Sequence, residues 1–576
     1  MWSDIMKSPC SVGREKYYFP AVIVIATLAA VLLACGTYKI NFWPSDSYNP
    51  YAPTAARLFE LPHLSLMHTL PDQSLNQLNM RGKEALILGI ALMQRLLGDT
   101  RSLYPNVLLL ILAVWASSLV IYKIFLRMFG ADIALAGFLL FATSFWTYQY
   151  ILQGAHQPLV MMNFLLSLFF LQRAFEKRIF YCVSGLFMGV MFFSSPTAAI
   201  YLPYFLLLGM DPRLTAVRNW SWARILRNAG LFCAGAAEPF LLFTWPDPLG
   251  SLKRFSHFLG QSQFGNHFSY YQGYLAQQFP FPFEPSFAAT FRGGGWLWIL
   301  KYFFLIMPVM FGAYLVCLMY LLGQGVARRR LLVVILISVS TPLGIEFARV
   351  SQFGRTYFSW LFGIIFLICF TLAYGKKNVP ARPGSRGLAK KTQALLATVF
   401  FIHLVFNIFI FATDVFPTRM ATTYLDAWVR QRRISRLLVY QNHPRNFCTT
   451  DMMNNPKLKD TIRFYGIKNI RQPEDGYILV PPVSGNTIWD NCASEDFGDD
   501  PDLSELIRSG GIKDVAVAAL PTLVTSRIWP QEEEVCTYRD LMLGQRGEPE
   551  KGYIYILDVE KLKRTRTGLY DRLDSL

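Results

Sequence analysis

LYPNVLLLILAVWASSLVIY, residues Leu103–Tyr122, decides the fold: it contains no charged side chain. A helix rises about 1.5 Å per residue, so roughly 20 apolar residues cross the hydrocarbon core of a bilayer. The same pattern recurs on both sides. Ala21–Cys35 and His156–Gln172 are also free of charge. Over the whole chain of 576 residues, 53% are hydrophobic and 16% charged, well below the charged fraction of about 25% usual in soluble domains. Such runs along most of the chain exclude a soluble protein with a few buried helices.

Working outward, the apolar run from about Tyr18 to Ile40 follows Lys7, Arg14 and Lys16. It is too long for a cleaved signal peptide and lacks a small-x-small site after it, so it reads as a first span with a cytoplasmic N-terminus. Further spans are expected over Leu103–Tyr122, Ile133–Tyr150, Pro158–Gln172, Ile179–Phe193, Thr197–Met210, Ala229–Trp245, Trp296–Leu322, Leu331–Glu346, Tyr357–Tyr374 and Thr392–Ala412. That makes about eleven transmembrane helices.

Charge sets the orientation. Lys123 and Arg127; Arg173, Lys177 and Arg178; Arg213, Arg218, Arg224 and Arg227; Arg328 to Arg330; and Lys376 to Lys391 fall in every second connector. Positive loops stay in the cytoplasm, so the N-terminus lies inside and the C-terminus outside. This also accounts for the net charge of +17. No basic stripe with interleaved aromatics suggests nucleic acid. The sequon Asn219-Trp220-Ser221 falls on the cytoplasmic side.

The expected organisation is an α-helical polytopic membrane module over 1–414, followed by an extracytoplasmic α/β domain over 415–576. The first outer loop, 41–101, carries interfacial helices. In the C-terminal part, Tyr477–Val480, Asp514–Leu520 and Tyr553–Leu557 read as strands, and Lys457–Tyr465 and Leu503–Arg508 as helices. Asp496–Asp502 is acidic but lacks EF-hand spacing and reads as a solvated loop. Of nine cysteines, Cys448, Cys492 and Cys536 fall in this domain, where two of them could pair in an oxidising compartment. None of the nine shows zinc spacing.

Chemistry is sought among polar groups at the outer surface and within spans. Asp46, in Trp43-Pro44-Ser45-Asp46-Ser47-Tyr48, lies just beyond the first span. It can act as a base toward a substrate held at the membrane, or simply cap the helix that follows. Met80-Arg81-Gly82-Lys83-Glu84 opens a short apolar run from Ala85 to Leu97 that reads as an interfacial helix. There Arg81 and Lys83 can hold a phosphate or merely anchor the helix. His156, in Gln153-Gly154-Ala155-His156-Gln157-Pro158, shares the outer side with Asp46. Glu238 and Glu346 fall inside spans toward their outer ends. Arg349, Arg355 and Tyr357 follow Glu346, and the three-residue spacing of Glu346 and Arg349 allows an ion pair on one helix face or one wall of a cationic pocket.

In order and sidedness these features resemble the GT-C superfamily of polyprenyl-phosphate-sugar-dependent glycosyltransferases, in particular its protein mannosyltransferase and aminoarabinose transferase branch. Asp46-Ser47 stands at that family's acidic motif in loop one. Arg81-Gly82-Lys83-Glu84, running on to Arg95-Leu96-Leu97-Gly98, is similar to its lysine-containing lead into an interfacial helix. Ser184-Gly185-Leu186-Phe187-Met188-Gly189, Ser195-Pro196-Thr197 and Leu202-Pro203 resemble its Gly-xxx-Gly, Lys-Pro-Thr and Pro helix pair. Arg355-Thr356-Tyr357 resembles its late Arg/Lys–Tyr signature. The sequence departs from the pattern where Ser47 replaces a second acid, His156-Gln157 stands in place of an aspartate, and Ser195 replaces a lysine.

The resemblance implies transfer of a sugar from a polyprenyl-phosphate donor to an acceptor glycan, lipid or protein on the outer face, in a bacterial inner membrane. It implies Asp46 as the base, His156 on the acceptor side, and Lys83, Arg81, Glu84, Glu346, Arg349, Arg355 and Tyr357 around the substrate. A divalent metal is left open. Two other classes fit the residues alone. One is a transporter or flippase using Glu238 and Glu346, although no inverted repeat is visible. The other is a non-catalytic assembly protein.

Overall fold

A computed structural model of the chain describes residues 11–37, 51–60, 63–64, 82–100, 104–144, 147–148, 151, 155–174, 176–209, 222–250, 307–323, 328–348, 358–378, 401–405, 437–440, 462–465, 476–480, 511–521 and 553–565, with 398, 428 and 431 singly. The chain divides into two compact units. One is drawn from Met1–Cys35, Pro53–Leu97 and Asn106–Asn407, the other from Gly36–Ala52, Gly98–Pro105 and Ile408–Leu576.

The helices are α1 (Ser11–Thr37), α2 (Tyr51–Arg57), α3 (Glu84–Leu97), α4 (Tyr104–Phe129), α5 (Ala131–Ala142), α6 (Gln157–Arg173), α7 (Ile179–Phe192), α8 (Leu202–Gly209), α9 (Trp222–Thr244), α10 (Pro308–Gly323), α11 (Arg328–Ala348) and α12 (Trp360–Asn378). Among the described residues, Lys16–Thr37 and Tyr104–Phe129 are long and apolar enough to cross a membrane, and several shorter apolar helices accompany them. The expected spans over Leu103–Tyr122, Pro158–Gln172, Ile179–Phe193, Ala229–Trp245, Leu331–Glu346 and Tyr357–Tyr374 each coincide with a helix. Most of Thr392–Ala412 and the first part of Trp296–Leu322 lie outside the described residues.

Two spans differ from expectation, each for a local reason. Ile133–Tyr150 was expected as one helix, but α5 stops at Ala142. Hydroxyls satisfy its last carbonyls: Thr143 Oγ1 donates to Leu139 O at 2.7 Å, Thr147 Oγ1 to Phe141 O at 3.3 Å, and Tyr148 OH to Ala142 O. The Thr143 and Ser144 N–H groups also donate to Leu139 O and Phe141 O, so the helix closes on its own end. Thr197–Met210 begins as a 3-10 turn, Pro196–Tyr201, before α8. Pro203 has no N–H to offer the carbonyl four residues back, so the α pattern starts only beside it.

Burial separates core from periphery. On α12 every residue from Trp360 to Thr371 is buried, as are Phe358 and Ser359 before it, as expected of a helix that is apolar all round. Its Phe362 ring packs on Phe125 of α4, Phe164 of α6 and Tyr204 of α8. By contrast, α1 exposes Val24, Leu28, Val31 and Leu32. Pro342 removes a donor within α11, leaving the Ser338 carbonyl without its helical partner. The indole N–H of Trp360 donates to that carbonyl instead, at 2.5 Å. Beside it, Tyr204 OH, Thr341 Oγ1 and Ser359 Oγ form a buried hydroxyl chain with steps of 2.7 and 2.8 Å.

α7 and α9 pack backbone against backbone. A Cβ on Gly185 would collide with the Phe232 carbonyl, and one on Gly235 with the Cys182 carbonyl. A Cβ on Gly189 would stand 2.9 Å from Ala236 O. Glycines at these positions let two backbones meet where lipid supplies no hydrophobic drive. On its other side α7 is clamped to α6. Ser167 Oγ donates to Ser184 O and Ser184 Oγ to Ser167 O, both at 2.8 Å.

In the second unit, β1 (Leu437–Tyr440), β2 (Ile462–Tyr465), β3 (Tyr477–Val480), β4 (Ala516–Pro521) and β5 (Tyr553–Asp558) form a five-stranded sheet in the order β2-β1-β3-β5-β4. β1 pairs parallel with β2 and β3, while β5 pairs antiparallel with β3 and β4. Ile462–Tyr465 corrects the helix expected over Lys457–Tyr465. Its partner strand β1 supplies a ladder, and the aromatic and β-branched residues of IRFY suit a pleated surface. Ile512–Val515, a short helix α13, precedes β4, so the strand expected from Asp514 begins at Ala516. Leu503–Arg508, Asp496–Asp502, Cys448, Cys492 and Cys536 lie outside the described residues.

Replacing Gly185 or Gly235 by Leu is expected to separate α7 from α9. Because the obstructing atoms are backbone, the loss should be on the order of 3 kcal/mol. Thermal unfolding of the purified protein in detergent should show a lower midpoint for either variant than for Gly312→Leu, a site with open space.

Candidate active site

The site is built where α3 meets the end of α7. Gly82 adopts φ 77°, a left-handed turn that suits glycine. Lys83 follows, and its carbonyl accepts the Ile87 N–H at 3.0 Å to open α3. In the first turn, Ala85 N–H donates to Phe193 O at 2.9 Å. Phe193 terminates α7, so an orphan donor of one helix satisfies an acceptor at the end of another. α3 then buries Leu86, Ile87, Ile90 and Ala91 and exposes Leu92 and Leu96. At 14 residues it is too short to cross a bilayer alone and fits an interfacial position. Arg95 lies over the Phe59 ring at 3.7 Å.

α6 begins at the same end. His156 occupies its N-cap position, with its carbonyl accepting from Leu159 and Val160 at 3.1 Å. Pro158 sits in the first turn, where a missing N–H costs nothing. The imidazole makes no capping bond. Its Nε2 stands 3.1 Å from Gln157 Nε2. His156 is 5% exposed and Gln157 6%. Further along, Asn163 donates to Leu159 O at 2.9 Å and to Ser194 Oγ at 3.4 Å. Ser194 and Ser195 are fully enclosed.

The end of the bundle is fixed by chain direction. α6 runs away from His156 to Arg173, and α7 returns to Phe193. At the far end, Arg127 from α4 pairs with Glu176 at 2.8 Å, and Arg173 reaches the same carboxylate at 3.4 Å. The two basic connectors therefore share one end of the bundle, and Lys83, His156 and Ser194 occupy the other. That agrees with the alternation of charge along the chain.

Burial dominates the electrostatics. Lys83 is 7% exposed, and loss of water lowers its pKa to about 7. His156 is pushed well below the ordinary imidazole range, first by burial and then by the charge of Lys83. The imidazole is therefore neutral, and a poor proton acceptor, while Lys83 can still carry a charge near neutral pH. The site can hold an anion at Lys83 and uncharged polar groups at His156 and Gln157.

The other residues expected here fall as follows. Glu84 is buried in the first turn of α3, where a carboxylate suits the helix dipole. Glu346 lies in the last turn of α11. Glu238 is exposed on α9, so it does not line the interior of the bundle as a transport pathway would require. Asp46, Arg81, Arg349, Arg355 and Tyr357 lie outside the described residues. Gln157, Asn163 and Ser194 were not among the expected site residues. Asn163 and Ser167, four apart in an apolar run, gave the available sign of a polar helix face. Among the described residues no cluster of His, Cys, Asp or Glu could hold a metal ion.

Residues 87–237 match the family described as dolichyl-phosphate-mannose-protein mannosyltransferase. The matched segment runs from the first turn of α3 into α9 and contains His156, Gln157 and the glycines of α7, but not Lys83. No curated protein matches. Two structures of an oligosaccharyltransferase from Archaeoglobus fulgidus are similar. The apo form is 13% identical with a TM-score of 0.42, covering 77% of this chain and 60% of its own. The complex with Zn and sulfate is 12% identical with a TM-score of 0.43, covering 84% and 70%. Overlap that loose fixes neither a fold nor a function.

Lys83 is charged below pH 7 and neutral above it, so an anion held there should be lost as pH rises. A polyprenyl-phosphate sugar is a phosphodiester whose own charge stays fixed in this range. Its affinity for the purified protein should fall about tenfold per pH unit above 7. Lys83→Arg, which remains charged, should flatten that profile. A flat profile in the unaltered protein would remove Lys83 from the site.

Proposed function

We propose that the chain is a membrane glycosyltransferase of the GT-C type, part of which, residues 87–237, matches a mannosyltransferase family, and that it moves a sugar from a polyprenyl-phosphate donor to an acceptor outside the cytoplasm. The observation that carries this reading is the buried Lys83 at the head of α3, brought to the same end of the bundle as His156. A cation beside neutral polar groups, at the mouth of an interfacial helix, suits a lipid-linked phosphate with a sugar attached.

In this reading the acceptor hydroxyl or amine attacks the anomeric carbon. The bond from that carbon to the phosphate oxygen breaks, and the electron pair leaves with the lipid phosphate. Lys83, with Arg349 and Arg355 from the segment after α11, stabilises the departing charge. Asp46 takes the acceptor proton. His156 is too weakly basic for that task, so its role is in binding. Arg81, Glu84, Glu346 and Tyr357 are assigned to the walls of the same site. A divalent metal beside Asp46 is compatible with this chemistry. The membrane module would span 1–414, and the sheet-containing part, 415–576, would lie outside the cytoplasm with the acceptor. The compartment proposed is a bacterial inner membrane.

Lipid-linked sugars in cells lacking the protein provide the test. One polyprenyl-phosphate sugar should accumulate, the wild-type chain should clear it, and Asp46→Asn should leave it at least about a hundredfold less consumed, as expected for loss of a general base. Unchanged lipid levels, or equal rescue by Asp46→Asn, would instead favour transport or assembly.

A further inference from the structure

The outward faces of the helices differ in kind. Val24, Leu28 and Leu32 are exposed on α1, and Val316, Met319 and Leu322 on α10. Bulky apolar side chains of that sort suit contact with lipid tails. α9 turns out a different surface. Between the exposed Leu226 and Leu241 stand Gly230, Cys233, Ala234, Ala237 and Glu238, all exposed. Gly230, Ala234 and Glu238 are four apart and share one face. It lies away from the face that packs on α7, where a Cβ on Gly185 or Gly189 would meet the backbone of Phe232 or Ala236. A Cβ on Gly235 would strike the Cys182 carbonyl, whereas one on Gly230 would meet nothing within 4 Å. The small residues of the inner face are thus filled by α7, and those of the outer face stand open.

Depth follows from the ends of the helix. α9 has 23 residues, about 35 Å at a rise of about 1.5 Å each, against a hydrocarbon core of about 30 Å. Trp222 opens the helix at 78% exposure and Trp245 follows it at 61%. Indoles at both ends are the mark of the two membrane interfaces. Glu238 comes a little under two turns before Trp245, which places it about 10 Å inside the outer indole. A carboxylate on the outside of a spanning helix at that depth is costly, and such groups pair with a partner. Among the described residues, Glu238 makes no hydrogen bond or ion pair.

The charge selects what covers this face. Lipid tails offer the carboxylate nothing. A second copy of this chain, packed α9 on α9, would bring two carboxylates together, and like charges repel most strongly where water is absent. We propose that this face of α9 seats a transmembrane helix of a partner protein, and that the partner helix carries a lysine or arginine at the depth of Glu238. Gly230, Ala234 and Ala237 let the partner's backbone approach closely, Leu226 and Leu241 pack at either end, and Glu238 pairs with the partner's cation. Glu238 is not among the residues assigned to sugar transfer, so the inference stands apart from that reading.

The test is photo-crosslinking in the cells that make the protein, with the reactive side chain at Ala234 of the full-length chain. One protein adduct is expected. Sequencing of the crosslinked peptide should find a spanning segment with a lysine or arginine in its outer half. Glu238→Gln should lower the adduct at least about tenfold, because the partner's cation is then left unpaired in the membrane. Gly230→Leu should lower it as much by filling the open face. Nothing in the chain obstructs that leucine, so the thermal midpoint in detergent should not fall, which shows that the variant folds. The same reactive side chain at Leu28 of α1 should yield lipid adducts alone. An adduct at Ala234 with a second copy of this chain, with lipid alone, or with a segment lacking a basic residue would overturn the proposal. So would a protein adduct that Glu238→Gln leaves unchanged.

Discussion

A single backbone hydrogen bond, Ala85 N–H to Phe193 O, holds the site together. It joins the head of a helix too short to span a membrane to the end of one packed deep in the bundle. Lys83 and Glu84 stand immediately before it in the chain. With it, they are set at the level where α6 begins and α7 ends. The bond depends on packing further down, because α7 is held by its glycines against α9 and by the serine clamp against α6. Small residues along α7 thus position a lysine more than a hundred residues earlier in the chain.

Enclosing Lys83 and His156 in one site carries an electrostatic cost. Burial disfavours both charges, and each cation disfavours the other. The protein resolves this by keeping the imidazole neutral and leaving the ammonium marginal. An anion reaching such a site would interact with Lys83 where little water screens the charge. The opposite end of the bundle is managed differently. There Arg127 and Arg173 share Glu176 at the surface, with water at hand, and such pairs contribute little individually.

Much of the fold was legible because it follows from solvation. Long uncharged runs had to become helices, and basic connectors had to alternate. The Arg127–Glu176 pair agrees with that alternation. Element ends were less legible because side chains decide them: Thr143, Thr147 and Tyr148 close α5, and Pro203 delays α8. Ile462–Tyr465 was misread because the helical pattern read over Lys457–Tyr465 carried more weight than a partner strand more than twenty residues away. In the site, Lys83 and His156 stood out as polar residues beside apolar runs. The orphaned side-chain oxygen of Gln157 and the lowered pKa values of its neighbours were not legible, since both depend on which segments enclose them. Trp360 donating to the carbonyl freed by Pro342 is of the same kind.

The central claim is that the lipid phosphate lies at the Lys83 end of the bundle. The most direct measurement is a cryo-electron microscopy structure of the full-length protein with bound polyprenyl-phosphate mannose. The account predicts the phosphate within about 4 Å of Lys83 Nζ, the reach of a direct ion pair, with the sugar toward His156 and Gln157. A phosphate at the opposite end, among Arg127, Arg173 and Lys177, would contradict it.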